Sequence, residues 1–154
     1  MRDADQWVTR ETRDSRFTVR ESLVDQWQES RSFYLAVGEQ WQWHDRRNWT
    51  EAQWREHAAA DVLRTFVAEH RTTSAGYFEL RRDPTGDVEI AYFGLLPAFI
   101  GMGLGGPLLS QAIQRAWNWD AERVWVHTCT KDHPRALDNY LKSGFAVYKT
   151  ETQE

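Results

Sequence analysis

A chain of 154 residues is the right length for one domain, and such a domain buries about 68–70% of its unfolded surface. It is 41% hydrophobic and 27% charged, a globular balance that excludes a disordered chain, and its net charge of −4 lacks the cationic surplus that a nucleic-acid partner requires. The single cysteine, Cys129, excludes an internal disulfide and a Cys-rich zinc site and points to a cytoplasmic protein. Nine Trp, seven Phe and five Tyr pose the remaining question: what so much aromatic surface covers.

Residues 1–15 are polar and expected to fray, and nothing in 1–20 resembles the apolar run of a secretory signal. Phe17, Val19 and Glu21 alternate with Thr18 and Arg20, predicting a short strand. Ser22 is placed to cap a helix with the stripe Leu23, Trp27, Tyr34 and Val37, ended by Gly38. A loop rich in tryptophan comes next, and Thr50 with Gln53 forms a capping box for a second helix carrying Trp54, His57 and Ala58. The period then falls from 3.6 to 2. Strands are predicted over 62–70, 74–82 and 88–96, the last two joined by the turn Asp83-Pro84-Thr85-Gly86. The third is almost continuously apolar and therefore central.

Residues 90–109 carry no charge and are numerous enough to span a bilayer, yet Pro97, Pro107 and five glycines interrupt them. They read instead as strand, turn and helix start, and no membrane association is expected. The helix shows Leu104, Leu108, Leu109, Ala112, Ile113 and Ala116 on one face. A strand over 123–130, a helix over 133–142 ended by Gly144, and a strand over 145–150 complete the chain. Hairpins followed by a βαβαβ order predict a mixed sheet with helices on its faces.

The chemistry concentrates at Gly101-Met102-Gly103-Leu104-Gly105-Gly106, between a strand and a helix. Glycines let backbone N–H groups converge, and the helix N-terminus adds positive potential, so the loop suits a phosphate or pyrophosphate. Gly101, Gly103 and Gly106 also fit a dinucleotide pattern. Too few residues remain after them for that domain, and the next strand ends Thr128-Cys129-Thr130-Lys131 without the acid a ribose needs. No Gly-Lys-Ser/Thr of a P-loop is present. The alternative is that these glycines merely allow close helix–strand packing.

The run Leu95-Leu96-Pro97-Ala98-Phe99-Ile100-Gly101-Met102-Gly103-Leu104-Gly105-Gly106-Pro107-Leu108-Leu109 resembles the acetyl-CoA loop of the GNAT superfamily of N-acetyltransferases. Ala136-Leu137-Asp138-Asn139-Tyr140-Leu141-Lys142-Ser143-Gly144-Phe145 is similar to that family's second signature, Ala-x-x-x-Tyr-x-x-x-Gly-Phe. The resemblance implies one α/β (α+β) domain over 1–154, with a mixed, mostly antiparallel twisted sheet of about six to seven strands and about four helices. It implies acetyl-CoA as cosubstrate, held by Leu95, Leu96, Pro97, Ile100, Gly101, Met102, Gly103, Leu104, Gly105, Gly106 and His133. Two positions depart from the family: Ile100 stands where Gln or Arg is usual, and His133 where Asn is common.

The implied reaction is direct attack of an amine on the acetyl thioester, which needs a base, an oxyanion donor and an acid for the thiolate. By resemblance, Tyr140 is the acid and the Leu95 amide the oxyanion donor. For the base, Glu89 is a lone carboxylate on the apolar central strand, where desolvation raises its proton affinity. It also falls where several GNAT enzymes carry their catalytic glutamate. His127, in the middle of the strand after the glycine helix, is the competitor.

The family's acceptor side is built by the first two helices and their loop, here Phe33, Tyr34, Trp41, Trp43, His44 and Trp49. Their rings suit an aromatic or cationic small-molecule amine, whereas Trp27, Trp54, Trp117, Trp119 and Trp125 read as packing. His44 with Asp45, and His57 with Asp61, lack a metal-ligand spacing, so no metal is expected. Because edge strands of this fold often pair, a homodimer is expected. Ile100 leaves open a non-catalytic acyl-CoA-binding module, and the acyl group and a protein amine acceptor also remain open.

Overall fold

The segments of period 2 assemble into one sheet. The computed structural model describes residues 1–10, 16–23, 26–41, 43, 46–59, 61–127 and 136–146, with the backbone alone for 40, 41, 58, 59, 136 and 137. Strands β1 (Phe17–Glu21), β2 (Leu63–His70), β3 (Thr73–Arg82), β4 (Val88–Leu95) and β5 (Val124–Val126) lie side by side in that order. The first three pairings are antiparallel and β4–β5 is parallel. Five strands are thus found among the described residues, fewer than the six to seven expected, within the mixed, mostly antiparallel class that was expected. The predicted strand over 145–150 lies largely outside the described residues.

Four helices flank the sheet: α1 (Gln26–Trp41), α2 (Glu51–Ala59), α3 (Gly105–Asn118) and α4 (Ala136–Lys142). The apolar face of α3 brings Leu108, Leu109, Ala112, Ile113 and Ala116 onto Phe66, Phe78, Leu80, Val88 and Ile90. On the opposite face, Phe33 and Val37 of α1 cover Val67 and Tyr77. The segment over 90–109 is β4, a short turn and the start of α3, and no helix among the described residues is long and apolar enough to cross a membrane.

Two local signals act as read. Thr50 and Gln53 exchange side-chain and backbone bonds of 2.8 and 3.2 Å at the start of α2. Asp83 gathers the Thr85 and Asp87 amides, while Gly86 takes φ +89 to close the β3–β4 turn. Three others do not. Leu23 is 77% exposed and precedes α1 instead of joining its buried stripe. Ser22 donates its hydroxyl to Glu29 and its amide to the Thr65 carbonyl. Gly38 does not end α1, which runs on to Trp41. A Cβ at Gly38 would lie 2.7 Å from Trp43, so glycine here makes room for an indole folded back onto the helix.

The N-terminal residues 1–10, expected to fray, are tied down. Met1 exchanges backbone bonds with Val124 of β5, Val8 donates to the Ser143 carbonyl, and the Arg10 amide donates to the Ser110 hydroxyl on α3.

One irregularity of β4 sets the layout of the sheet's centre. Glu79 pairs with Tyr92 but Leu80 pairs with Ile90, so Ala91 is an extra residue in a bulge. Glu89 and Tyr92, three positions apart, therefore share one face of the sheet. Among the described residues, the parallel pairing with β5 covers Val88–Ile90 against Val124–Val126.

Candidate active site

Beyond Ile90, the pairing of β4 among the described residues is with β3. The Leu96 N–H donates to the Ala75 carbonyl at 2.7 Å. Successive amides of a strand alternate in direction, so the Leu95 N–H points away from β3. The chain then makes the 3-10 turn Pro97–Phe99 and reaches the glycines. Gly101 and Gly103 take φ +86 and +75, and no heavy atom lies within 4 Å of where a Cβ would sit on either. Packing does not demand glycine at these two positions. The backbone conformation does, and the space beside it is open to a ligand.

Leu104 begins α3 without a side-chain cap, which leaves the first-turn amides as donors at the positive end of the helix. Pro107 sits in that turn, where its missing N–H costs nothing. Such a cradle fits a phosphate. Leu104 itself is buried, Ile100 is half-buried and Met102 is exposed. His133 lies outside the described residues. One neighbour is invisible to sequence reading: a Cβ on Gly106 would meet the Arg10 guanidinium, which donates to the Asn139 carbonyl on α4.

Glu89 stands on β4 across from Arg81 of β3 and Trp125 of β5, half-buried. Burial raises its proton affinity; Arg81 and His127 oppose that rise, and Glu79 adds to it. The structure therefore brings Glu89 and His127 into one electrostatic neighbourhood. His127 is exposed at the end of β5, not inside a strand as its sequence position suggested. Trp125, read as packing, lies beside Glu89, and its buried indole N–H has no hydrogen-bond acceptor among the described residues. Tyr140 is 7% exposed on α4, with its ring edge-on to Phe93 of β4 at 6.3 Å and to Phe145 at 6.2 Å.

The strongest polar feature escaped sequence reading. Glu79 on β3 is fully buried and accepts two bonds from Arg46, of 2.8 and 3.0 Å, and meets His57 Nε2 at 2.7 Å. Burial alone would raise the Glu79 carboxyl, but the bonds from His57 and Arg46 outweigh it and hold it below the usual carboxylate range. His57 thus belongs to Glu79 and not to Asp61. Around the guanidinium stand Tyr92 at 4.4 Å, Trp49 at 4.9 Å, and Tyr34 and Trp54 at 5.9 Å. A sequence signal existed: Glu79 is the lone charge in Ala75-Gly76-Tyr77-Phe78-Glu79-Leu80.

The expected acceptor residues take different places. Phe33 is buried and stacks on Tyr77 at 5.3 Å. Tyr34 is 1% exposed, and its hydroxyl accepts the Arg46 N–H at 2.9 Å. Trp43 is half-buried, with its ring 5.0 Å from Tyr92 and 5.6 Å from Tyr34. Trp49 lies against Trp54 and His57. The Trp41 side chain and His44 lie outside the described residues.

Residues 10–145 match the model of the acetyltransferase (GNAT) family. Uncharacterized N-acetyltransferases of Mycobacterium bovis and Mycobacterium tuberculosis are 31% identical over 105 residues, covering 68% of this chain and 67% of theirs. Among solved structures, an aminoglycoside acetyltransferase from an uncultured soil metagenomic sample, in complex with trehalose, superposes with a TM-score of 0.70 at 13% identity, over 92% of this chain and 99% of that one. The aminoglycoside N-acetyltransferase AAC(6')-Iy in complex with CoA has a TM-score of 0.65 at 17% identity, over 90% and 93%. At these identities the two structures are alike in fold.

Proposed function

The chain belongs to the GNAT acetyltransferase family, and from that premise we propose that it moves the acetyl group of acetyl-CoA to the amine of a small molecule within a ternary complex. The observation that carries this reading is the glycine turn, where Gly101 and Gly103 take φ +86 and +75 with open space at their Cβ positions just ahead of the uncapped first turn of α3. Gly101, Gly103 and the first turn of α3 are the residues to hold the phosphates, and Leu95, Leu96 and Pro97 border the path of the pantetheine arm. Acetyl-CoA supplies the thioester whose carbonyl carbon the amine attacks.

The side chains divide the proton work. Glu89, its proton affinity lifted by burial, takes the proton from the attacking amine. The Leu95 N–H donates to the carbonyl oxygen as negative charge develops there. Tyr140, against Phe93 two residues before Leu95, passes its hydroxyl proton to the departing thiolate. His127, exposed beside Glu89, is the alternative base. Trp43 walls the acceptor side together with the indole N–H of Trp125, backed by Phe33 and by Tyr34, Trp49 and Tyr92, the last three gathered around Arg46. Aromatic faces and a neighbouring carboxylate favour a cationic or aromatic amine, and solved relatives in fold are aminoglycoside acetyltransferases.

The test is a screen of thiol release from acetyl-CoA against amino acids, polyamines, aromatic amines and aminoglycosides. Release that depends on one amine class identifies the acceptor. CoA binding by calorimetry without release from any amine overturns the catalytic reading, in the direction that Ile100 would favour.

A further inference from the structure

We propose that Arg10 is the cation of the phosphate site: its guanidinium lies on the first turn of α3 and binds a phosphate of CoA there. The inference deepens the acetyl-CoA reading and rests on it. No charged side chain occurs from residue 90 through 114, so the end of β4, the glycine turn and the first turns of α3 offer an anion only backbone amides. The charge comes from the other end of the chain. Arg10 lies on Gly106, the second residue of α3, where a Cβ would fall 2.5 Å from its Nε and from its Cζ. Glycine is a weak helix former, and α3 carries one where the guanidinium needs the room.

Contacts to α4 hold the guanidinium in that place. Its Nη1 donates to the Asn139 carbonyl at 3.2 Å and to Asn139 Oδ1 at 2.5 Å, with the Ser143 hydroxyl at 3.5 Å. The end of α4 leaves that carbonyl over, because the Ser143 N–H goes to the Tyr140 carbonyl. The Arg10 amide is fixed to Ser110 Oγ at 2.7 Å, and Asn139 Nδ2 reaches the Gly105 carbonyl at 3.4 Å. Arg10, α4 and the first turn of α3 are thereby joined. Nη1 is directed to α4, whereas Nε and Nη2, the two nitrogens over Gly106, have no acceptor among the described residues. No carboxylate among those residues pairs with the guanidinium either. A guanidinium set at the positive end of a helix without a counter-charge raises the local potential, and its free donors suit the oxygens of a phosphate.

The experiment is calorimetric titration with CoA of the wild type, R10M and R10K over a series of salt concentrations. Its readout needs no turnover. Arg10→Met should weaken CoA binding about 10- to 100-fold, and Arg10→Lys should recover part of that loss. Binding by the wild type should fall more steeply with salt than binding by Arg10→Met, because one charge contact has been removed. Equal CoA affinities for the wild type and Arg10→Met overturn the proposal, as does an equal loss in Arg10→Met and Arg10→Lys with the salt dependence unchanged. If Arg10→Met does not fold, Gly106→Ala decides: its methyl group displaces the flexible guanidinium from the first turn at constant charge. CoA affinity should then fall about tenfold, and an unchanged affinity overturns the proposal. Thiol release is scored separately. A CoA difference without release from any amine keeps Arg10 and discards acetyl transfer, and release with equal CoA affinities does the reverse.

Discussion

Arg46 and Glu79, separated by 33 positions in the chain, meet through two parallel N–H···O bonds of 2.8 and 3.0 Å on the inner face of the sheet. Breaking such a pair leaves a buried charge alone, so Arg46→Ala should destabilise the fold by about 3–5 kcal/mol in urea unfolding, and Arg46→Met with Glu79→Gln together by less than Arg46→Ala alone. The depressed Glu79 carboxyl adds a pH dependence. Its contribution is present above the unfolded value of about 4.3 and is lost as pH falls through the folded value.

Glu89 has the opposite sign. Burial lifts it, so between the unfolded value of about 4.3 and its higher folded value the native chain holds more protons. Stability falls as pH rises through that window, and the penalty persists above it. Glu89→Gln should therefore raise the Tm at pH 7 while lowering kcat/KM roughly 10²–10⁴-fold. Calorimetry and thiol-release kinetics on one preparation check both.

Tyr140→Phe keeps the ring against Phe93 and Phe145 and removes only the hydroxyl. CoA affinity by calorimetry should hold within about twofold, while kcat falls about 10²-fold or more. A matching loss of affinity would return Tyr140 to a packing role.

Gly103→Ala places a methyl group in open space at φ +75, so no neighbour is displaced and the cost is backbone strain of about 1–2 kcal/mol. CoA affinity should fall more than stability does, since the loop relaxes away from the strained conformation. Calorimetric titration with CoA beside urea unfolding separates the two.

Arg71 and Thr72 form the two-residue β2–β3 hairpin with φ +52 and +68, a turn that favours Asn-Gly. Arg71→Asn with Thr72→Gly should stabilise the fold by about 1–2 kcal/mol without changing acetyl transfer, read from the urea midpoint.

What was legible in the sequence is local. Alternation placed β1 to β4 within a residue or so, the Thr50–Gln53 box marked α2, and the glycine run sat between strand and helix as read. What was not legible depends on distant contacts. Gly38 carries the signal of a helix stop, but Trp43 folds onto it and the helix continues. Leu23 fits a helical stripe that the helix, starting at Gln26, never presents. Glu79 draws on Arg46 and His57, 33 and 22 positions away, and no spacing rule links them. Glu79 nonetheless shares with Glu89 the one local mark that singled the latter out, a lone carboxylate in an apolar strand. The aromatic excess finds part of its use here, with Trp49, Trp54, Tyr34 and Tyr92 around one guanidinium.

Acetyl transfer to an amine with Glu89 as base stands or falls on one comparison. Amine-dependent thiol release from acetyl-CoA is followed from pH 5 to 9 for wild type and Glu89→Gln side by side. The wild type should release thiol at a rate that rises with pH as Glu89 ionises, and Glu89→Gln at a rate lower by orders of magnitude without that rise. Equal rates and equal profiles for the two proteins would rule out Glu89 as the base.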